Sequence, residues 1–121
     1  MNKLTVLHVR VEEEPEVITV ENSLEHLKRL VGGWFEIVSI TDDIIMVVNE
    51  EGAIDELPIN FITAKKEVSS NTFGIQLLHE VHGDVFFVST LSDEFHSLDK
   101  PQIQKVKRMF NHSRGMLTLN E

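Results

Sequence analysis

Ile44-Ile45-Met46-Val47-Val48 is apolar at every position. A strand sends successive side chains to opposite faces, so an unbroken apolar run needs cover on both of them. That places this strand in the middle of a sheet, with further layers on both sides. The flanks agree. Thr41-Asp42-Asp43 reads as a tight turn, and Trp34 to Ile40 before it reads as the preceding strand. On the other side, Asn49-Glu50-Glu51-Gly52 is a turn in which glycine supplies the positive φ.

Working toward the start, Asn22-Ser23-Leu24-Glu25 has the spacing of a capping box, with Asn22 as N-cap. Leu24, Leu27, Leu30 and Val31 then form one helical stripe, ended by Gly32-Gly33. Leu4 to Val11 alternates, with Leu7, Val9 and Val11 on a drier face and Val6, His8 and Arg10 on the other. After the charged turn Glu12-Glu13-Glu14-Pro15, Glu16 to Val20 returns as the second strand of a hairpin.

Toward the end, Leu57 to Ile62 reads as a short helical turn entered through Pro58. Residues 63–73 are polar and read as a flexible loop. Gly74 to Val81 and Val85 to Leu91 read as strands, and Ser92 to Leu98 as a loop. Pro101 opens a last helix, Lys100 to Phe110, with Ile103, Val106, Met109 and Phe110 as its buried stripe. From about residue 112 the chain is expected to be a loose tail, with a short strand at Met116 to Leu119. The whole reads as one α+β domain over residues 1–121. A mixed or antiparallel sheet of five to six strands carries two main helices, Ser23 to Val31 and Lys100 to Phe110.

Composition narrows the function. There is no cysteine, which removes disulfides, thiolate metal sites and thiol nucleophiles. No apolar stretch approaches a membrane span, and the first residues lack the apolar core of a secretion signal, so the chain reads as cytoplasmic. The net charge of -9 lies entirely in one half. Residues 1–63 hold thirteen Asp and Glu against four Lys and Arg, and the remainder holds seven of each. Such a half repels phosphates and attracts basic proteins, so direct nucleic-acid binding is not expected.

Candidate binding residues follow from exposure and charge. Asp42, Asp43, Glu50, Glu51, Asp55 and Glu56 fall in turns. Solvated turn residues are the plain account of them. The sharper one is a surface that imitates a row of phosphates and occupies a basic groove on another protein. A carboxylate metal or acid–base site is a third account, but nothing in the sequence gathers these residues. Trp34 follows two glycines and alternates with Phe35, so one of the two aromatics faces outward, where it would stack on a planar ligand or anchor a partner. Asn49 and Asn60 read as turn residues, with ligand contact as the alternative. His79-x-x-His82 lies in a strand or turn, where residues three apart point to opposite faces and do not chelate. No GxSxG, HExxH or GxxxxGK[ST] motif is present. No cofactor is implied, and an enzyme stands as the third class of function.

Three segments together carry a resemblance. They are Leu27 to Val38; Val47 to Gly52 followed by Leu57-Pro58-Ile59-Asn60; and Gly83 to Val88 with Phe95-His96-Ser97-Leu98 and the last helix. In that order the chain resembles the small domain-of-unknown-function family numbered 3846, carried by phages, plasmids and integrative elements. The resemblance runs from Leu4 to Phe110. It departs from the family pattern between Ala64 and His82 and after Asn111. It implies an accessory protein of a mobile element, without any settled activity. Such proteins often blunt host defence, by masking a host protein or by sequestering a small nucleotide signal. The expected function is therefore non-catalytic binding of a host protein through an acidic surface. The alternative is an oligomer that encloses a nucleotide. A homo-oligomer is also expected, with strands such as Val85 to Leu91 pairing at their edges or packing sheet on sheet across a two-fold axis.

Overall fold

The computed structural model describes residues 2–69, 72–111 and 115–119, apart from the side chains at 68, 69, 72 and 73. In chain order the elements are β1 Lys3–Val9, β2 Glu16–Glu21, α1 Leu24–Val31, β3 Phe35–Ser39, β4 Ile44–Asn49, β5 Ile59–Ser69 and β6 Thr72–His82. They continue with β7 Val85–Leu91, β8 Glu94–His96, α2 Lys100–Met109, β9 Phe110–Asn111 and β10 Met116–Thr118. A six-stranded antiparallel sheet runs β2-β1-β7-β4-β3, with β8 on β7. A second sheet runs β6-β5-β10-β9, in which only the β5–β10 pairing is parallel.

The apolar run lies where its pattern requires. Every residue from Ile44 to Val48 is buried, and β4 sits between β3 and β7. On one face Ile45 and Val47 join Leu4, Val6, Phe86 and Val88 beneath Leu27 and Val31 of α1. On the other, Ile44, Met46 and Val48 join Leu7, Val85 and Phe87 against Phe61 and Leu117 of the second sheet and Val106 and Met109 of α2. The first sheet is thus the middle of three layers.

Several local readings change. The N-cap of α1 is Ser23, whose Oγ accepts the His26 amide, because the Asn22 amide is held by Asn2 O beside β1. Leu24 consequently starts the helix on its exposed side. Gly32 ends it at φ 81°, a left-handed conformation that costs glycine little. β1 is dry on both faces, since Leu4 and Val6 lie under α1 and His8 Nε2 bonds Leu30 O at 3.0 Å. Leu57 to Ile62 forms no helical turn; β5 begins at Ile59. The stretch 63–73, read as a loop, is strand on both sides of residues 70 and 71, which lie outside the described residues. Its polarity reflects solvent on the outer part of a long hairpin, where Lys65, Lys66 and Glu67 are exposed. β8 interrupts the loop read over Ser92 to Leu98. α2 is capped by Asp99 in a capping box with Gln102 and ends at Met109, so Phe110 already belongs to β9. In the tail, β10 pairs with β5, while residues 112–114 and 120–121 lie outside the described residues. Among the described residues no helix is long and apolar enough to cross a membrane.

Candidate functional site

The six turn carboxylates do not share a surface. Asp42 and Asp43 precede β4, and Glu50, Glu51, Asp55 and Glu56 follow it. Six strand residues separate the two groups by roughly 20 Å. Asp43 is tied into the fold. Its Oδ1 accepts from Thr41 Oγ1 at 2.8 Å, and its Oδ2 accepts from Gln102 Nε2 of α2 at 2.9 Å. Those hydrogen bonds, Thr41 first and Gln102 second, hold its carboxyl below the ordinary aspartate value. Its backbone carbonyl accepts from Ser89 Oγ and the Thr90 amide. Asp43 therefore clamps the β3–β4 turn to β7 and α2.

At the opposite end of β4, the turn from Glu50 to Glu56 is built on Asn49. Its Oδ1 accepts the Glu51 amide at 2.8 Å, and its Nδ2 donates to Val31 O at 3.1 Å, a carbonyl at the end of α1. Asn60 plays a matching part, donating from Nδ2 to Val9 O and to Gly83 O, both at 2.9 Å. Both asparagines thus have fold-holding partners of their own. Glu12, Glu13 and Glu14 sit at this same end, because β1 and β4 both run antiparallel to β7 and so point the same way.

Trp34 stands at this end too. Its carbonyl accepts the Glu50 amide at 3.0 Å, and its indole is 58% exposed. Of the two neighbouring aromatics it is the outward one. Phe35 turns in, 6.4 Å from Phe95. Lys28 Nζ lies 3.7 Å from the Trp34 ring centroid and covers one face of the indole. The next turn carries Ile54, 80% exposed, between Glu51 and Asp55.

Beside this end a cleft of about 410 Å³ opens between β3–β4 and β6. Val38, Met46, Val48 and Leu119 supply apolar lining. Glu36, Glu50, Glu80, His79 and His82 supply polar groups. Among the described residues no lysine or arginine lines it. His82 is engaged through Nδ1 with Leu57 O at 2.8 Å. Gly52 at the margin lies so close to His82 O that an added Cβ would sit 3.0 Å from it. A larger hollow of about 870 Å³ lies elsewhere, lined partly by Ile37, Phe95 and His96. It is shallower and more polar, and none of the candidate residues lines it. Among the described residues no three His, Asp or Glu side chains gather as a metal site requires. The sequence pointed to Asn49 and Glu50 at the cleft but not to Glu36 or Glu80. Glu36 shares a sheet face with Val38 by alternation, which is legible, but its approach to β6 is long-range and leaves no local signal.

Fold and site together define an acidic two-sheet α+β domain. One end of it presents an exposed indole, a rim of turn carboxylates and a cleft whose described lining holds no lysine or arginine. The pattern of the domain of unknown function DUF3846 matches residues 3–111, and the chain belongs to that family. No curated protein and no solved structure matches the chain.

Proposed function

We propose that this chain is a non-catalytic binding protein of a phage or mobile element, and that it acts in counter-defence by covering a basic surface on a host protein. The observation that carries this reading is Trp34. A large indole left 58% exposed, on an end that also bears Ile54, Glu50, Glu51, Asp55 and Glu56, has the make-up of a binding anchor with a charged rim. Lys28 against one face of the ring restrains it, so less freedom is lost on contact. The acidic rim speeds encounter with a basic partner and disfavours acidic ones. Asp42 and Asp43 drop out of this surface, because they sit at the other end of β4. The cleft gives sequestration of a nucleotide little support, since its described lining offers a phosphate three glutamates and no lysine or arginine.

The test is comparative capture from host lysate. The bait is the parent chain, Trp34→Ala, or a variant with Glu50, Glu51, Asp55 and Glu56 all changed to lysine. Bound proteins and small molecules are both identified by mass spectrometry. The expected result is a basic host protein held by the parent and lost from both variants. A protein held equally by all three baits would overturn the assignment of this surface, and a captured nucleotide in place of a protein would overturn the class of partner.

A further inference from the structure

Val85 to Leu91 has no edge to offer a second copy. β4 occupies one side of it, and β1 followed by β8 occupies the other. Among the described residues the outer strands are elsewhere. β2 and β3 bound the first sheet, and β6 and β9 bound the second. β9 has two residues and β3 five. β2 carries Glu16 and Glu21 at its ends, beside the triple-glutamate turn. β6 differs from all three. It has 11 residues, and among the described residues it pairs only with β5. From Thr72 to Leu78 it has no Asp, Glu, Lys, Arg or His, and it holds no proline anywhere. The usual protections of a sheet edge, a charge or a proline facing outward, are missing over that stretch. Ile75 and Leu77, two apart and hence on one face, are 41% and 60% exposed. An added Cβ on Gly74 would meet nothing within 4 Å.

We infer that β6 pairs antiparallel with β6 of a second copy about a two-fold axis, joining two four-stranded sheets into one. The charge distribution supports a copy of this chain as the occupant. Two chains of net charge -9 repel most strongly where residues 1–63 face each other. Residues 64–82 hold two lysines against two glutamates, so the hairpin belongs to the neutral half of the chain. The pairing is also self-matching. An axis normal to the sheet keeps each side chain on its own face, so the Ile75 and Leu77 stripes of both copies come together. The body of each copy attaches near His82, at opposite ends of the paired strands, so the two bodies stand clear of each other. Both clefts, each walled by residues 79–82 of β6, then open on the same side of the joined sheet.

The same symmetry gives a sharp test. Opposite residues share a face, so a two-fold axis must set one residue of β6 directly opposite itself. Their Cα atoms then lie about 4.5–5.5 Å apart, within disulfide reach. The chain has no cysteine, so single replacements Ile75→Cys, Gln76→Cys, Leu77→Cys and Leu78→Cys can be oxidised one at a time, with Val17→Cys on β2 as control. One β6 position should cross-link efficiently and its neighbours on the other face poorly, while Val17→Cys should stay uncross-linked. Light scattering on the parent should give twice the 13.8 kDa chain mass. Leu77→Lys should return it to a single chain with an unchanged circular dichroism spectrum, since that side chain is mostly in solvent. A parent that remains at single-chain mass up to millimolar concentration would overturn the inference. So would cross-linking that is equal at all five positions.

Discussion

Asp43 accepts hydrogen bonds from Thr41 and Gln102 on its two carboxylate oxygens, and both bonds favour its charged form. Its folded carboxyl titrates below the ordinary aspartate value, so near that value the unfolded chain binds more protons and stability rises with pH. The contribution is complete above the unfolded value and is lost as pH falls through the lowered folded one. Asp43→Asn should therefore unfold more easily than the parent at neutral pH, by about 0.5–1 kcal/mol for so exposed a group. Urea titrations at stepped pH should show the gap closing in acid. Asn60→Ala should cost more, about 1–2 kcal/mol, since it strips a donor from Val9 O and Gly83 O together. The same titration at neutral pH measures it. Asn49 and Asn60 were legible as candidates, although Asn60, read as a turn residue, lies in β5 at a bulge. Their partners were not, because Val31, Val9 and Gly83 lie far away in sequence and reach them only through the sheet. Trp34 was legible as one of an alternating pair, and the choice of which ring turned outward waited on α1 and Phe95.

The hairpin β5–β6 marks the limit of pattern reading at the scale of elements. β4, β7 and both helices stand out because burial writes apolar runs or stripes. The outer part of the hairpin is bathed on much of its surface, so Lys65-Lys66-Glu67 reads as loop although the backbone is paired. Bulges between Ile59 and Phe61 and between Thr63 and Ala64 also break its alternation. α2 shows the reverse case, where a stripe was read correctly but its last member belongs to the next element. Phe110 leaves the helix in extended conformation and sets its ring edge-on to Phe61 at 5.1 Å and to Phe87 at 5.9 Å. It links α2 to both sheets while only partly buried. Phe110→Ala should lower stability by about 2–3 kcal/mol, toward the lower end for aromatic truncations because burial is incomplete. Matched denaturation midpoints for variant and parent would refute that anchoring role.

For the molecule as a whole, charge is arranged by the ends of β4 rather than by a single face. Reversing Glu50, Glu51, Asp55 and Glu56 to lysine should slow association with a basic partner about tenfold at low salt and flatten the salt dependence. Reversing Asp42, at the far end, should leave the rate unchanged. Stopped-flow mixing over a range of ionic strength separates the two. The charge imbalance was visible in the sequence, but its division between two ends was not, since that depends on which turns a six-residue strand holds apart. The parallel pairing of β10 with β5 bears on synthesis. As the chain leaves the ribosome, β5 and β6 can close as a hairpin long before residues 116–118 exist to cover the inner edge of β5. Until then the nascent chain displays an open template for any passing strand. Translation arrested just short of Met116 would leave a product with that template exposed, a natural substrate for chaperones and proteases.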